Sequence, residues 1–499
     1  MRSTCYGDTK RQREVLDIYD DVASTHRIVD IKTQMMQLKD KSVLVLGLGE
    51  TGLSMLRFLS GQGARLRAAD SRAAPAGLSE AKKYVALQQV HCGTFSDALF
   101  EGIDLIAISP GVPLANPVVA RAIARGIPVV GDIELFAQHL AAQSTVPGPR
   151  SSILAITGAN GKTTVTTMVA HLCKNAGRDA VAAGNISPAV LDVMLQRRAD
   201  QPDVWVLELS SFQLETTSTL NAAAAAVLNV TEDHLDRYAD MEAYAAAKAR
   251  ILIGCRVQIL NRDDGRSMGM ARAGISTVTF GLDMPQQEHD FGISHAGDDI
   301  WLMQGSQRLM KSSDLQVSGL HNVANALAAL ALCRAISLDM PALLDGLRSF
   351  KGLPHRVEKV AEIAGITYFD DSKGTNVGAT VAAMQGLGKP TVVILGGEGK
   401  GQDFSPLNAA VKQYARAVVL IGRDADLIAY ALQGSEVKIV RATDMADAVQ
   451  QAAALAQRHD AVLLSPACAS FDMFRNYEHR AQVFISAVQD LEREGSWSR

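Results

Sequence analysis

From Ser42 onward, short apolar runs alternate with longer segments in which apolar residues recur at helical spacing. The first runs are SVLVLGLG, ARLRAAD, DLIAIS and IPVVG, and helix-like patterns continue through Ser60 and over residues 118–125. Such alternation is typical of βαβ units, in which helices connect neighbouring parallel strands. The pattern therefore predicts an α/β protein from its first folded residues.

The same alternation of strand-like and helix-like segments occurs twice more along the chain. After the linker AAQSTVPGPRSS come the strand-like runs VWVLEL and AAAAVLNV and the helical pattern HNVANALAALALCRA. After a second junction, KGLPHR, the runs are ITYFDDS, TVVILGG, AVVLIG, VKIVRA and AVLLSP. Because 499 residues exceed what one core usually holds, we predict separate domains at residues 39–142, 143–350 and 351–499.

Residues 1–38 differ from the rest, because their mixed charges show no sustained apolar periodicity. We expect this segment to be a disordered, dispensable N-terminal extension, or the result of a start codon assigned upstream of Met35 and Met36. Its role stays open.

Composition narrows the class of protein. The chain is 47% apolar and 20% charged, and it contains no run of about 20 apolar residues that would span a bilayer. The net charge of −4 favours no nucleic-acid partner, and six cysteines without a CxxC pair fit buried thiols in a reducing compartment. We expect a cytoplasmic protein, without a membrane span, that is a monomer.

Residues 155–164 read AITGANGKTT, an apolar run that ends in a glycine-rich turn. Backbone N–H groups of such a turn bind polyphosphate, Lys162 supplies positive charge and the Thr163 hydroxyl suits a magnesium ion. A helix over residues 163–174 would point its positive end at the same anion. The usual pattern has a glycine where Ile156 stands, but the core TGANGKT is present.

A second glycine motif lies in the first unit, where Gly47, Gly49 and Gly52 follow a strand and Asp70 ends the next one. This spacing is typical of dinucleotide-binding domains. The same glycines serve any nucleotide whose diphosphate meets a helix N-terminus. The ligand of this motif could therefore be NAD or another nucleoside with a diphosphate. The glycines could also serve packing alone.

Polar residues at the ends of apolar strands mark further candidates. Glu208 ends VWVLE, where a carboxylate can bind the magnesium ion that Thr163 contacts, and His234 follows the next strand. A lone histidine is more often structural than a metal ligand. Lys248 lies among alanines in AYAAAKARIL, and periodicity alone leaves it open whether this lysine is solvated or packed.

The third unit has three polar turns at strand ends: DDSKGTN, LGGEGKGQDF and SPACASFDMFRNY. Each could be only a tight turn. Because the carboxyl ends of parallel strands meet at one sheet edge, together they predict a binding face.

Eight ordered motifs resemble those of the Mur ligases, the ATP-dependent amide-forming enzymes of peptidoglycan precursor synthesis. The motifs are TGANGKTT, LELSSFQLE, NVTEDHLDRY, AAKAR, HNVANALAA, GLPHR, DDSKGTN and SPACASFD. Within that family, GLGETG, VGDIELF and SPACASFDMF are similar to the branch that adds D-glutamate to UDP-N-acetylmuramoyl-L-alanine. The DNPR motif of ligases that add a diaminoacid is not found.

The resemblance implies a Rossmann-like N-terminal domain, a central P-loop ATPase-like domain with a parallel sheet, and a Rossmann-like C-terminal domain. It also implies that the first domain binds the UDP part of the substrate rather than NAD. The matching positions there are Thr51, Asp70, Ser71, Ser109 and Gly111, joined by Asn185 of the central domain near the muramoyl group. Glu50 occupies a place that is apolar in some relatives.

The resemblance also implies the ATP and metal ligands. The ATP-binding positions are Gly158, Ala159, Asn160, Gly161, Lys162, Thr163, Thr164, Asn325, Arg356 and Asp371, the last toward the ribose. Two magnesium ions are implied, one at Thr163 and Glu208 and a second at His234. Lys248 matches the family's carbamylated lysine, whose carbamate supplies the anionic oxygen that magnesium prefers. Lys162, His234 and Lys248 are the implied catalytic residues.

For D-glutamate, the matching positions are Lys373, Thr375, Lys400, Ser470 and Phe471, where Phe471 replaces a leucine of some relatives. Two cations and two hydroxyls suit an amino acid with two carboxylates.

Three alternatives remain beside this interpretation. Folylpolyglutamate synthase is a related ATP-dependent ligase that adds glutamate, but its pterin substrate has little need for the GLGETG domain. An NAD-dependent oxidoreductase is supported only by the first glycine motif. A non-catalytic nucleotide-binding scaffold would leave the polar turns of the third unit without a role.

Overall fold

The computed structural model describes residues 37–143, 151–198, 200–233, 237–317 and 319–496. The predicted N-terminal extension therefore lies outside the described residues, except for its last two positions, and so does most of the first linker. Among the described helices, none is long and apolar enough to cross a membrane.

The chain forms mixed helices and strands in the predicted alternation. The strands are β1 (Ser42–Leu46), β2 (Arg65–Asp70), β3 (Val90–Cys92), β4 (Leu105–Ile108), β5 (Val129–Val130), β6 (Ser152–Thr157), β7 (Ala180–Gly184), β8 (Val204–Glu208), β9 (Ala224–Val227), β10 (Val257–Asn261), β11 (Ser276–Phe280), β12 (Phe291–Ala296), β13 (Asp299–Gln304), β14 (Gln307–Lys311), β15 (Glu358–Ile363), β16 (Ile366–Asp370), β17 (Thr391–Gly396), β18 (Ala415–Ile421), β19 (Lys438–Arg441) and β20 (Ala461–Leu464).

The helices lie between and after these strands. They are α1 (Glu50–Gly61), α2 (Leu78–Ala81), α3 (Pro117–Ala124), α4 (Asp132–Gln143), α5 (Lys162–Asn175), α6 (Val190–Arg197), α7 (Ser211–Leu214), α8 (Met241–Ala249), α9 (Gly265–Gly269), α10 (Leu320–Ala335), α11 (Met340–Ser349), α12 (Val377–Leu387), α13 (Pro406–Tyr414), α14 (Ala425–Ala431), α15 (Met445–Leu455) and α16 (Tyr477–Ser496).

The chain divides into two compact units. The first unit comprises the chain up to Ala155 together with Val181–Ala223 and Ala245–Arg256. The second unit comprises Ile156–Ala180, Ala224–Tyr244 and Val257–Arg499.

The first unit contains a five-stranded sheet in the order β3-β2-β1-β4-β5, and every pairing in it is parallel. Strand order reverses beside β1, because β2 lies on one side of it and β4 on the other. Open α/β sheets bind ligands at such a switch point, outside the carboxyl ends of the strands. This sheet confirms the predicted Rossmann-like fold.

The first unit also contains β7 and β8, which are hydrogen-bonded neighbours. All five side chains of β8 are buried, including Trp205, which explains its continuous apolar sequence. The short helix α7 follows at once. Its start is fixed by a capping box, in which Ser210 and Gln213 each bond the other's backbone N–H.

In the second unit, β9, β10, β11 and β12 pair in parallel, and β12, β13 and β14 then pair antiparallel. The prediction of a parallel central sheet is therefore correct for part of it and wrong for β13 and β14. Two short connections at Gly297 and Gly305, both with positive φ, turn these last strands back as hairpins. Parallel strands need a long connection, usually a helix. The short connections between β12, β13 and β14 contain no helical pattern, so these strands pair antiparallel.

The second unit ends in a six-stranded sheet in the order β15-β16-β20-β17-β18-β19. Its pairings are parallel except for the antiparallel edge strand β15. Buried residues of α12, α13 and α14 form a core on one face, and those of α15 and α16 form a core on the other. Helices on both faces of a mostly parallel sheet confirm the second Rossmann-like fold.

Cysteine burial agrees with the expectation of reduced thiols. Cys173, Cys255, Cys333 and Cys468 are buried and form no disulfide within the described part of the chain, and Cys5 lies outside it. Cys173 and Cys333 are hydrogen-bonded neighbours, and burial first, then this contact, raises the pKa of Cys333.

Candidate active site

The turn between β6 and α5 is the predicted phosphate loop. Gly161 has a φ of 82°, and a Cβ atom placed on it would lie 2.7 Å from Oδ1 of Asn325. Both the backbone conformation and the close neighbour therefore require glycine. The first turn of α5 directs its N–H groups out of the helix at this point, which is the arrangement that binds anions.

Asn229, which lies just after β9, holds the loop in shape. Its backbone oxygen accepts from the N–H of Ala159 (2.9 Å), and its Oδ1 accepts from the N–H of Asn160 (2.8 Å). Because these two N–H groups are used within the protein, an anion at this loop would depend on Gly161 and the first turn of α5. The sequence had predicted that backbone N–H groups of the whole loop bind the polyphosphate.

Two cations lie at the loop. Lys162 Nζ donates to the carbonyl oxygens of Gly158 (2.8 Å) and Ala159 (2.9 Å). Arg356 donates from Nη2 to Oγ1 of Thr163 at 3.0 Å. The positive charge required for a polyphosphate is thus supplied from two distant parts of the sequence.

Arg356 stands in a junction of unusual backbone conformation. Gly352, His355 and Val357 have φ values of 85°, 63° and 50°. A left-handed conformation is costly for a β-branched residue such as Val357 and persists where surrounding contacts impose it. One such contact is the 2.7 Å hydrogen bond between His355 Nδ1 and Asp370 Oδ2.

His355, Glu358 and Asp370 place their side-chain ligand atoms within 4.8 Å of one another. Hydrogen bonds explain this group without a metal. Asp370 Oδ1 accepts from the N–H and hydroxyl of Ser372, and the backbone N–H of His355 donates to Glu358. The group fixes the junction on either side of Arg356.

A cavity of about 300 Å³ opens beside the phosphate loop. Seven of the sequence-predicted site residues line it: Asn160, Gly161, Thr164, Asn325, Arg356, Asp371 and Lys373. Phe280 and Leu282 give it an apolar wall, and Asn322 and His321 add polar groups. An aromatic base and its polyphosphate could therefore be held in one cavity.

Two ionisable groups of this cavity are perturbed by burial. Burial raises the pKa of Asp371 to about 7, although a hydrogen bond from Ser465 acts in the opposite direction. Burial also lowers the pKa of His321 to about 4, so this ring is neutral at pH 7. A neutral imidazole and amide groups suit an uncharged base.

The three polar turns of the C-terminal sheet come together, because they follow the adjacent strands β16, β20 and β17. Arg480 joins two of them by donating to the backbone oxygens of Ser372 and Cys468. Glu398 and Ala469 join the third by exchanging two backbone hydrogen bonds of 2.9 Å. Arg480 is almost fully buried, and burial lowers its pKa to about 10.

The predicted amino-acid-binding residues are distributed over these turns. Lys373 lines the cavity beside the phosphate loop, and its Nζ lies 3.8 Å from the ring centroid of Tyr477. Ser470 is buried, whereas Phe471 is 66% exposed. Lys400 is exposed and has a φ of 52°. Thr375, Lys400, Ser470 and Phe471 are not among the residues that line this cavity.

A second cavity, of about 490 Å³, lies in the first unit at the switch point of its sheet. All six residues predicted for the UDP-linked substrate line it: Thr51, Asp70, Ser71, Ser109, Gly111 and Asn185. A Cβ atom on Gly52 would lie 1.7 Å from the carbonyl oxygen of Gly47, so the glycine motif allows α1 to approach the loop closely.

Asp70 in this cavity is bound to the protein itself. Its carboxylate accepts hydrogen bonds from the N–H of Leu48 and from the backbone and guanidinium of Arg72. The Arg72 side chain first, and these N–H groups, lower the pKa of Asp70 to about 2. Four bonds fill the acceptor positions of a carboxylate, so Arg72, which also lines the cavity, is left to contact a ligand.

The predicted metal ligands are divided between the units. Glu208 and Lys248 belong to the first and Thr163 to the second, whereas His234 lies outside the described residues. Glu208 is buried, and its Oε1 accepts from Asn185 Nδ2 at 2.9 Å. Its Oε2 is buried without a hydrogen-bond partner in the described part of the chain. Lys248 is 1% exposed, so this lysine is packed within the protein rather than solvated.

Sequence reasoning missed Arg72, Asn229 and Gln213. Gln213 lies in the motif LELSSFQLE and lines the larger cavity. Asn229 and Arg72 each follow a strand end, a position that could have identified both. Asn229 and Gln213 contact residues that lie far away in the chain, and the contact of Arg72 depends on its side-chain conformation. A local sequence pattern encodes neither.

The fold and cavities define an α/β protein with two nucleotide-type sites, one of them built on a phosphate loop. Family models match along the chain: the Mur ligase MurD-like N-terminal domain over residues 41–131, the Mur ligase middle domain over 156–333 and the Mur ligase glutamate ligase domain over 355–468. The chain belongs to the Mur ligase family and, within it, to the UDP-N-acetylmuramoylalanine–D-glutamate ligases.

Relatives of that name are similar over nearly their whole length. The enzyme of Methylobacillus flagellatus is 57% identical, with 92% of this chain and 99% of the relative covered. The enzyme of Nitrosomonas europaea is 55% identical, with 92% and 98% covered.

Solved structures share the fold at lower identity. A pseudomurein peptide ligase type C from Methanothermus fervidus has a TM-score of 0.56 at 18% identity, with 91% of this chain and 100% of that chain covered. UDP-N-acetylmuramate–alanine ligase from Thermotoga maritima has a TM-score of 0.54 at 19% identity, with 90% and 99% covered.

Proposed function

We propose that the protein is an ATP-dependent ligase that joins D-glutamate to UDP-N-acetylmuramoyl-L-alanine in peptidoglycan precursor synthesis. The names of its relatives support this reaction. The observation that carries it is the cavity at the phosphate loop, which Asp371 and Lys373, in the turn after β16, also line. A nucleotide and an amino acid can therefore bind side by side.

The UDP-linked substrate is assigned to the larger cavity, at Thr51, Ser71, Ser109, Gly111 and Asn185. Its position at the switch point of a parallel sheet suits a diphosphate. Asp70 takes part through Arg72, whose guanidinium it orients. A guanidinium at the rim offers paired donors to a phosphate or a carbonyl group of the ligand.

ATP is assigned to the phosphate loop. Gly158 to Thr164 form the loop, with Lys162 and Arg356 on the phosphates, Asn325 toward the base and Asp371 toward the ribose. The apolar wall of Phe280 and Leu282 fits a purine.

The reaction requires activation, because a carboxylate has oxide as its leaving group. An oxygen of the L-alanyl carboxylate attacks the γ-phosphorus, the bond to ADP breaks and an acyl phosphate forms. The amine of D-glutamate then attacks the acyl carbon, phosphate leaves and the amine loses a proton. Lys162 and Arg356 offset the charge of the transferring group, and no protein nucleophile is required.

Magnesium fits the residues present, because the buried Oε2 of Glu208, which has no hydrogen-bond partner among the described residues, is a hard ligand of the kind this ion prefers. The proposed magnesium ligands are Thr163, Glu208, His234 and Lys248. When bound, magnesium neutralises phosphate charge. Lys248 would serve as a carbamate, formed when its neutral amine attacks carbon dioxide and loses a proton.

D-Glutamate is assigned to Lys373, Thr375, Lys400, Ser470 and Phe471. The turns that carry them are joined by Arg480 and by the Glu398–Ala469 pair. Lys373 reaches the nucleotide cavity, so it would place one carboxylate of the amino acid near the site of acyl transfer.

The proposed domains are residues 39–142 for the UDP-linked substrate, 143–350 for ATP and 351–499 for the amino acid. The junction at Gly352–Arg356 is the proposed hinge, and closure there would exclude water from the acyl phosphate. We also propose a cytoplasmic monomer.

The test measures phosphate release by the purified full chain with MgATP. Release should require both UDP-N-acetylmuramoyl-L-alanine and D-glutamate, and L-glutamate should replace D-glutamate poorly. Release with folate and glutamate, or reduction of NAD, would favour the other enzymes. Nucleotide binding without any of these reactions would favour a non-catalytic nucleotide-binding scaffold and overturn the proposal.

A further inference from the structure

The first turn of α4 packs against the segment that follows β8, within the first unit. A Cβ atom on Gly131 would lie 2.4 Å from Oγ1 of Thr216, so the two segments are in close contact. Asp132 Oδ2 accepts a hydrogen bond of 3.1 Å from Gln213 Nε2. Asp132 and Gln213 are 1% and 2% exposed, so this contact is shielded from water.

The amide of Gln213 has a defined orientation. Its Oε1 accepts from the backbone N–H of Ser210 at 3.2 Å, and a backbone N–H can only donate. The Nε2 end must therefore face Asp132, whose oxygen can only accept while the group is ionised. Ser210 and Asp132 hold the two ends of one amide.

Gln213 also lines the cavity assigned to the UDP-linked substrate, beside Asn185. An amide nitrogen carries two hydrogen atoms, and Asp132 occupies one. The second remains for a hydroxyl, carbonyl or phosphate oxygen in the cavity. Asp132 itself does not line the cavity.

We propose that Asp132 is a positioning residue for the UDP-linked substrate, which holds the Gln213 amide with its second N–H directed at the ligand. This role rests on the function proposed above. It assigns a task to Asp132, the first of the two acidic residues in the VGDIELF segment.

The surroundings of Asp132 support orientation as its task rather than stability. Burial raises the pKa of Asp132 to about 6, and the hydrogen bond from Gln213 lowers it. Its Oδ1 is buried without a hydrogen-bond partner in the described part of the chain. A buried carboxyl that is incompletely hydrogen-bonded costs free energy, so packing alone does not explain it.

Glu134 provides a matched control from the same helical turn. It is also 1% exposed, and its carboxylate accepts from the backbone N–H groups of Ser218 and Thr219. Neither Glu134 nor these two partners lines the cavity. A variant at Glu134 therefore tests the loss of a buried carboxylate without loss of the proposed substrate contact.

The first experiment titrates the full-length protein with UDP-N-acetylmuramoyl-L-alanine in a calorimeter, without ATP. Asp132→Ala should raise the Kd about tenfold, because the amide loses its orientation and one good hydrogen bond to the ligand. The KM values for ATP and D-glutamate should stay within twofold. Glu134→Ala should lower the melting temperature but keep the Kd within twofold.

A double-mutant cycle tests whether Asp132 acts through Gln213. Gln213→Ala should also raise the Kd about tenfold, and adding Asp132→Ala to it should change the Kd by less than twofold. An independent tenfold effect in that background would overturn the proposal, as would an unchanged Kd in the single variant. If Asp132→Ala fails to fold, Asp132→Leu replaces it, since leucine fills the space without an acceptor.

A conservative variant separates the hydrogen bond from the charge. Asp132→Asn still offers an acceptor oxygen and should bind the substrate within threefold of the wild type. A loss as large as that of Asp132→Ala would contradict a positioning role. If wild-type protein neither binds this substrate nor releases phosphate, the proposed function fails; normal ligation with an insensitive Asp132 overturns only the positioning role.

Discussion

Nη2 of Arg356 lies 3.0 Å from Oγ1 of Thr163, a residue that precedes it by 193 positions in the chain. Asn376 Nδ2 likewise lies 3.1 Å from Oδ1 of Asn160 in the phosphate loop. Residues on the C-terminal side of the junction therefore contact the loop directly. Under the proposed function, these contacts would link phosphate binding to the position of the C-terminal sheet.

Replacing Arg356 with alanine should lower kcat/KM for ATP by about a hundredfold. Removing one preorganised donor that faces charge developing in a transition state costs roughly 2.7–4 kcal/mol. Steady-state phosphate release measures the effect. Arg348→Ala is the control, because Arg348 is exposed and pairs with Asp345, and its rate should match the wild type. An equal loss in both variants would argue against the role of Arg356.

Gly161→Ala should abolish ATP binding, because the new Cβ atom would lie 2.7 Å from Asn325 Oδ1 in a left-handed backbone. Calorimetric titration with MgATP tests this outcome. Gly177, at the other end of α5, has a φ of 74° and no atom within 4 Å of the same Cβ position. Gly177→Ala therefore isolates backbone strain of about 1–2 kcal/mol and should still bind ATP. Binding by the Gly161 variant would contradict the close contact.

Lys162→Ala should abolish ligation, since its ammonium group lies on the loop carbonyls where the phosphates are assigned. Phosphate release in the presence of all three substrates is the measurement. Lys174→Ala, an exposed lysine in the last turn of the same helix, should be as active as the wild type. Near-normal turnover by the Lys162 variant would refute the assignment of the phosphate loop.

Lys248→Ala should lose nearly all activity, at least a hundredfold, if its carbamate holds a magnesium ion. Added formate or acetate should restore part of the rate, because each can supply a carboxylate oxygen in the space left by the side chain. Lys412→Ala, an exposed lysine of α13, should show neither loss nor response. No recovery with any short carboxylate would count against the carbamate.

Much of the fold could be predicted because local patterns encode it. Strands such as β8 and β20 are short, continuous apolar runs, and Gly161 marks a turn that only glycine fits easily. The antiparallel pair β13 and β14 escaped prediction. Strand direction depends on the connection to a neighbour rather than on the residues of one strand.

The site was less predictable where it depends on contacts between distant residues. Asn229 fixes the phosphate loop from 69 positions away, and nothing in the sequence near either residue records that pairing. The carboxylate of Asp70 was assigned to the ligand, but Arg72 and Leu48 occupy its acceptor positions. Sequence patterns identify chemical groups, whereas side-chain pairing decides which of those groups face a ligand.

Asp371 should make stability fall as the pH rises from about 4 to about 7. Burial raises its pKa to about 7, above the ordinary value of 3.8. The folded protein therefore binds a proton more tightly than the unfolded chain, and the stability that this proton confers is complete below about pH 4 and lost by about pH 7.

Urea unfolding at several pH values, with Asp371→Asn beside the wild type, measures this contribution. The variant lacks the titrating group, so it should gain stability relative to the wild type across that window, by roughly 2–4 kcal/mol. Asp403→Asn is the control, because the hydrogen bond from Ser405 lowers the pKa of Asp403 from 3.8. Its stability contribution therefore changes only below about pH 4, and this variant should differ from the wild type by a constant amount from about pH 4 to about pH 7. A constant difference between Asp371→Asn and the wild type from pH 4 to 7 would show that Asp371 is ionised throughout, despite its burial.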